Sequence, residues 1–293
     1  MKFVRSDIAD EYGIALLQDK ILEVMVYIDK FCNENDIDYC LMAGSALGAR
    51  RHSGFIPWDD DIDIYMTAQD YDKFRNKFKS HGDTENYYLQ EWGAVDKNGH
   101  HFITMAKVRM NGTLIEEKTF MNWNIHKGIF VDIFILHSSP DDHALQKKQY
   151  IWAEAVVLKG LTVRGYVPKN FKDRLMLAIG RMLPCNWIKY HGLYNNYKYK
   201  DVDTNYVSGF VDTRDFSRAV FPRNAIFPTK YVKFEDVMLK VPNDNDLYLK
   251  IQFGDDYLSL PHVEKRQVSK HAVSWETDYS GVFKDCSDES KLI

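Results

Sequence analysis

The chain has 293 residues, 45% of them apolar and 27% charged, with a formal net charge of −4. That length supports one large domain or a core with an appended region, and the charge gives no global basic field for nucleic acid. The aromatic share of 14% suits a sugar- or base-handling surface and a Tyr-rich core equally. Cys32, Cys40, Cys185 and Cys286 form no C-x-x-C pair, which reads as reduced thiols rather than a disulfide or zinc frame. The opening "MKFVRSDIADEYG" lacks the apolar stretch of a signal peptide, and no run reaches transmembrane length, so a cytoplasmic protein is expected.

In chain order, apolar residues at Ile14, Leu17, Ile21, Met25 and Ile28 recur with a helical period, with Ser6 or Asp7 as a cap. "IDYCLMA" predicts a short buried strand, and "GSALGARR" a turn opening a short helix. "DIDIYM" alternates, which sets Asp61, Asp63 and Tyr65 on one face and Ile62, Ile64 and Met66 on the other. "DYDKFRNKF" predicts a helix; "HFITMAKVRM" and "GIFVDIFIL" predict strands. After Pro140 a helix is expected to about Leu161, then a break at "GYVPK", Gly165–Lys169. The next helix, "NFKDRLMLAIGRML", is basic and amphipathic, with Phe171, Leu175, Ile179 and Met182 on one side. From Val207 to Val241 short strand-like runs alternate with Pro and Asn, and "DNDLYLKIQFGDDY" predicts a helix closed by a Gly turn. No internal repeat is present.

The chemistry concentrates in "GFIPWDDDIDIYM", Gly54–Met66, with four acids in five positions beside apolar residues. A solvated turn is the common reading of such a cluster. A calcium loop with Asp59, Asp61 and Asp63 at positions one, three and five needs Gly next and Glu at the twelfth place, where Ile64 and Asp70 stand. A metal-dependent phosphotransfer site fits better. Asp61 and Asp63 share a strand face, and two such carboxylates stay ionised together only with a cation beside them. Gly44 and Ser45 lie at a strand-to-helix turn suited to a phosphate. Asp132 sits inside an apolar strand, where an unpaired carboxylate is costly. These three acids would suit one or two Mg²⁺ ions.

Strand, Gly-Ser, helix, D-x-D and a distant strand Asp is the pattern of the nucleotidyltransferase superfamily. "MAGSALGARRHSGFIPWDDDIDI", Met42–Ile64, resembles the signature of the LicD family, G-T-L-L-G-A-V-R-H-x-G-F-I-P-W-D-D-D-I-D-I. The likeness continues in "AKVRMNGT", "KGIFVDIF" and "FPRNAIFPTKYVKFEDVMLKVPNDNDLYLKIQFGDDYLSLP". Ser45 stands where Thr is commoner, Arg50 precedes the usual Arg-His pair, and Phe253 replaces the Tyr before Gly-Asp.

The resemblance implies an α+β fold: a nucleotidyltransferase-like mixed sheet flanked by helices over residues 1–140, with a mostly helical, acceptor-binding region over 141–293. LicD-like proteins move a phosphorylated alcohol from a CDP donor to a sugar hydroxyl and release CMP. Phosphocholine from CDP-choline, placed on teichoic acid or lipopolysaccharide, is the expected case; fukutin proteins are similar in transferring ribitol phosphate. In this reading Asp61 and Asp63 hold Mg²⁺ or Mn²⁺ against the donor pyrophosphate, and Asp59 is a weaker candidate ligand. Asp132 shares the metal or takes the acceptor proton.

Arg51 and His52 match the family's Arg-His and suit phosphate, although a lone His is more often a packing residue. Lys107 and Arg109 alternate on one strand face and suit the donor's phosphates or a solvated surface. Trp58 either stacks on base or sugar, or shields the acids. His100 and His101 read as surface. The basic helix over Phe171–Met182 has three readings: core packing, docking on an anionic inner leaflet near a lipid-linked glycan, and direct acceptor binding. Rival functions are transfer of NMP to a small-molecule or protein hydroxyl with pyrophosphate release, and a non-catalytic nucleotide- or glycan-binding module.

Overall fold

A computed structural model describes residues 10–91, 104–117, 120, 123, 125–163, 165–168, 170–209, 215–268, 272–281 and 283. Ser6, Asp7, His100, His101 and Cys286 lie outside the described residues. The fold is α+β, a mixed curled sheet with helices packed around it.

Helix α1 (Ala15–Glu34) starts where Asp10 Oδ1 accepts the Ile14 and Ala15 N–H groups, at 2.9 and 3.2 Å. Its Leu17, Ile21, Met25 and Ile28 are fully buried, as their spacing predicts, and Val24 is buried with them. Truncating any one of the larger of these to Ala would cost about 2–5 kcal/mol. Strand β1 (Cys40–Leu41) leads into α2 (Ala43–His52), and β2 (Asp63–Thr67) into α3 (Ala68–His81). Thr67 and Asp70 close the start of α3 reciprocally: the Asp70 N–H donates to Thr67 Oγ1 at 3.0 Å, and that hydroxyl donates to the Asp70 carboxylate at 2.6 Å. Tyr71, Phe74 and Phe78 of α3 face the core.

Strands β3 (Tyr87–Gln90), β4 (Ala106–Met110), β5 (Leu114–Glu117) and β6 (Phe130–Ser139) follow. The sheet order is β1-β2-β6-β4-β3, with β2 parallel to β6 and the other pairs antiparallel. Strand β6 is buried nearly end to end because its first part lies between β2 and β4.

The helical character expected of the second half holds through α4 (His143–Val163), α5 (Phe171–Met182) and α6 (Cys185–Tyr197). Beyond Tyr197 the chain returns to the sheet: β7 (Tyr206–Ser208) pairs with the end of β6, and β8 (Val220–Pro222) pairs with β7. Then come α7 (Arg223–Ile226), the hairpin β9 (Lys230–Phe234) and β10 (Val237–Val241), and α8 (Asn245–Phe253), which ends at Gly254 with φ +101°. Strand β11 (Ala272–Glu276) pairs with β5. Phe221, Phe234, Leu239 and Tyr248 share the core cluster with α1 and β6, so the late segments complete the hydrophobic core rather than merely covering it.

One expectation reverses. Helix α5 buries Leu177 and Gly180, while Phe171, Leu175, Ile179 and Met182 face outward, so core packing of that stripe does not hold. Gly180 sits against Leu158 and Thr162 of α4, where an added Cβ would come within 2.8 Å of the Thr162 methyl. Close helix approach, rather than the wider apolar stripe, selects the buried side.

Candidate active site

Asp59, Asp60 and Asp61 form the segment leading into β2, and Asp63 is the first residue of that strand. Ile62 and Ile64, both fully buried, fix the strand to the core between the acids. Backbone bonds hold its register: Met42 N–H to Asp63 O and Asp132 N–H to Ile62 O, each at 3.0 Å. The Gln18 amide of α1 donates to the carbonyls of Ile56 and Asp59, at 3.2 and 2.8 Å, and pins the acidic segment from behind. One oxygen from each of Asp59, Asp60 and Asp61 lies within 4.8 Å of the others.

Burial pushes the Asp59 carboxyl well above the usual range, and the neighbouring charges of Asp61 and Asp60 push the same way; Arg51 only partly opposes them. Gly44 permits the arrangement: a Cβ there would lie 2.7 Å from Asp59 Oδ2, so a larger residue would have to displace the carboxylate. Asp60 is buried and accepts the Ala272 N–H of β11 at 3.0 Å. Strict alternation sets Asp60 opposite Asp59 and Asp61, which is why the sequence pattern passes over it.

The start of α2 is drawn into the same construction. Ser45 Oγ accepts the Asp63 N–H at 2.9 Å, and the Ala43 N–H donates to the Tyr248 hydroxyl at 2.9 Å. Gly44 and Ser45, expected as a phosphate cradle, thus also shape the acid segment, while the Ser45 hydroxyl proton remains a donor. Gln18 and Tyr248 carry no sequence signal, because each lies far along the chain from the residue it holds.

Asp132 on β6 pairs in register with Asp63 of β2 on one side and Lys107 of β4 on the other. Lys107 Nζ lies 2.7 Å from Asp132 and 3.3 Å from Glu117. It also sits 3.3 Å from the centre of the Phe130 ring, a cation–π contact. Arg109 donates to Gln90 Oε1 at 2.7 Å, to the Gly128 carbonyl at 3.0 Å and to Glu117 at 3.4 Å. Lys107 and Arg109 are 1% and 0% exposed, so the solvated-surface alternative falls. Burial raises the Asp132 carboxyl, and Lys107 opposes it. Burial pushes Glu117 upward too, but Lys107 and Arg109 outweigh it and the net direction is down. Glu117 is the acid that a search for D-x-D patterns could not reveal.

At the far end of α2, Arg51 Nη1 donates to the carbonyls of Tyr257 and Ser259, at 3.4 and 3.1 Å, tying the helix to the C-terminal segment. His52 is pushed down to about 4, first by burial and then by Arg51. Trp58 lies edge-on to His52, with ring centres 6.3 Å apart, and the Arg266 guanidinium is 5.9 Å from its ring. Arg50 turns away to the Asp246 carboxylate at 2.8 Å, on α8.

Residues 36–172 match the family model described as LicD/FKTN/FKRP, nucleotidyltransferase domain. They form a LicD-family domain. The matched span takes in α2, β2, Asp132 and the Lys107 network. The chain is similar to the lipopolysaccharide cholinephosphotransferase LicD of Haemophilus influenzae, with 28% identity over 263 residues, 84% of this chain and 91% of that protein. Shorter likenesses, 38% identity over 50 residues, join it to uncharacterized proteins of Rickettsia prowazekii and Rickettsia typhi; they cover 19% and 16% of those proteins. The likeness to LicD therefore extends past the family domain into the C-terminal segments that complete the core.

Proposed function

We propose that this LicD-family protein is a phosphotransferase that moves phosphocholine from CDP-choline to a sugar hydroxyl of a surface-glycan precursor, with release of CMP. The observation that carries the reading is the Asp59–Asp61 cluster at the head of β2, beside Asp63 and Asp132. Its residues fit a hard divalent cation: three carboxylate oxygens within 4.8 Å, with Asp59 driven upward by burial and by its neighbours' charge. Asp59, Asp61 and Asp63 would hold Mg²⁺ or Mn²⁺, with Asp60 close enough to contribute. Asp132 is a less apt ligand because Lys107 already balances it at 2.7 Å. When bound, the ion would neutralise charge developing on the donor's phosphates.

The chain's own residues then divide the remaining work. Asp132, raised by burial, takes the proton of the acceptor hydroxyl, and Lys107 keeps its carboxylate in register with Asp63. The hydroxyl oxygen forms a bond to the phosphorus that carries choline; the pyrophosphate P–O bond breaks and CMP leaves. Ser45 offers its hydroxyl to a donor phosphate while holding the Asp63 N–H. Arg51 and His52 end α2 close to Trp58, where an anionic or aromatic part of the donor would be met.

The test is mass spectrometry of reactions with CDP-choline, CDP-glycerol and CDP-ribitol, with a glycan acceptor. CMP and a choline-phosphorylated acceptor are expected, and only with Mg²⁺ or Mn²⁺ added. Full turnover in excess EDTA, with metal content measured, removes the metal from the proposal. Pyrophosphate release from a nucleoside triphosphate would instead establish NMP transfer.

A further inference from the structure

We infer that the α4–α6 layer is a docking surface for an anionic lipid bilayer, with α5 lying in the membrane interface. Helix α5 carries an apolar stripe at i, i+4, i+8 and i+11, and that stripe points to solvent: Phe171 is 81% exposed, Leu175 55%, Ile179 48% and Met182 84%. A soluble face normally carries polar residues at such positions. Here the exposed polar residues flank the stripe, and they are basic: Lys172, Arg174 and Arg181, with the one acid, Asp173, half-buried.

Helix α6 adds Trp187, Tyr190 and Tyr194 at i, i+3 and i+7, again exposed. Trp and Tyr at an outer surface suit the boundary between headgroups and hydrocarbon, where one edge of the ring is wet and the rest apolar. Both helices pack on α4: Gly180 of α5 meets Leu158 and Thr162, and Gly192 of α6 meets Val156.

Charge selects the occupant. Residues 143–200 hold eleven Lys and Arg against two Asp and Glu, a net +9 in a chain whose total is −4. A protein partner or a second copy would need a matching acidic, apolar face, and the self-association of a +9 layer opposes itself. An anionic bilayer offers negative headgroups and hydrocarbon together. Among the described residues no helix is long and apolar enough to cross a membrane, so the contact is peripheral.

The full-length protein should float with vesicles of phosphatidylcholine containing about one-third phosphatidylglycerol, and far less with phosphatidylcholine alone. Neutralising Lys172, Arg174 and Arg181 to Gln should lower partitioning on the order of 10²-fold. Phe171→Ser with Met182→Ser should weaken it with the cations intact, and circular dichroism should be unchanged because both residues are exposed. Equal flotation on neutral and anionic vesicles, no flotation on either, or variants that bind like the parent would overturn the inference. So would a dimer in light scattering that the Phe171→Ser/Met182→Ser pair dissociates. Vesicle binding needs no donor, so this result stands or falls apart from the proposed reaction.

Discussion

Two clusters of charge, one buried on β4–β6 and one half-buried at the entrance to the neighbouring strand β2, are solved in opposite ways. Around β4 and β6 the signs alternate: Asp132, Lys107, Glu117 and Arg109 form a chain of contacts between 2.7 and 3.4 Å. At the head of β2 the signs agree: Asp59, Asp60 and Asp61 crowd together, and the local fold (Gly44, Gln18 and the Ala272 N–H) holds them there. A chain selected only for stability would disperse like charges. The first cluster is neutralised from within, Asp132 included; the second keeps a cost within the fold that an incoming cation would relieve.

The largest effect separates the two by stability. Lys107→Met keeps the bulk but strands Asp132 and Glu117 in the core. Breaking a buried ion pair from one side costs about 3–5 kcal/mol, so thermal melting should fall steeply and without dependence on Mg²⁺. A Lys107→Met protein that melts like the parent would show that the network is not holding the sheet.

The second effect runs the other way. Asp61→Asn and Asp63→Asn remove like charge, so metal-free melting should hold or rise. Donor turnover should fall at least ~10²-fold, as when one electrostatic stabiliser of a transition state is removed. Normal turnover in both variants, or outright unfolding of both, would make these acids structural and dissolve the contrast.

Much of this was legible because short-range pattern carries it. The alternation of "DIDIYM" placed Ile62 and Ile64 in the core, and the helical spacing of Leu17, Ile21 and Met25 placed α1. The likeness of Met42–Ile64 to LicD anticipated the family domain that the match over 36–172 established. What escaped is long-range. Glu117 becomes a partner of Lys107 and Arg109 only when β5 folds back beside β4. Asp60 looked misaligned until β11 arrived to donate the Ala272 N–H. Helix α5 misled for a related reason: amphipathicity names a face but not which face meets the protein, and Gly180 against α4 decided that.

His137 offers a third solution to a buried ionisable group, and the smallest effect. It lies five residues past Asp132 on β6, is 2% exposed, and burial pushes its imidazole down to about 3. The folded state therefore holds it neutral, while an unfolded chain protonates near the usual value of about 6.5. Between those values the unfolded state binds a proton that the folded state refuses, so His137 withdraws stability as pH falls. The slope approaches about 1.4 kcal/mol per pH unit well below 6.5. His137→Phe removes that proton. Whatever constant cost the new ring imposes beside Tyr197, the gap between variant and parent should close, or reverse, from pH 6.5 to pH 4. Urea unfolding of both proteins across that range measures the gap. A gap independent of pH would mean that His137 is protonated in the fold, and that β6 meets its buried histidine as it meets Asp132, with a charged partner rather than by neutrality.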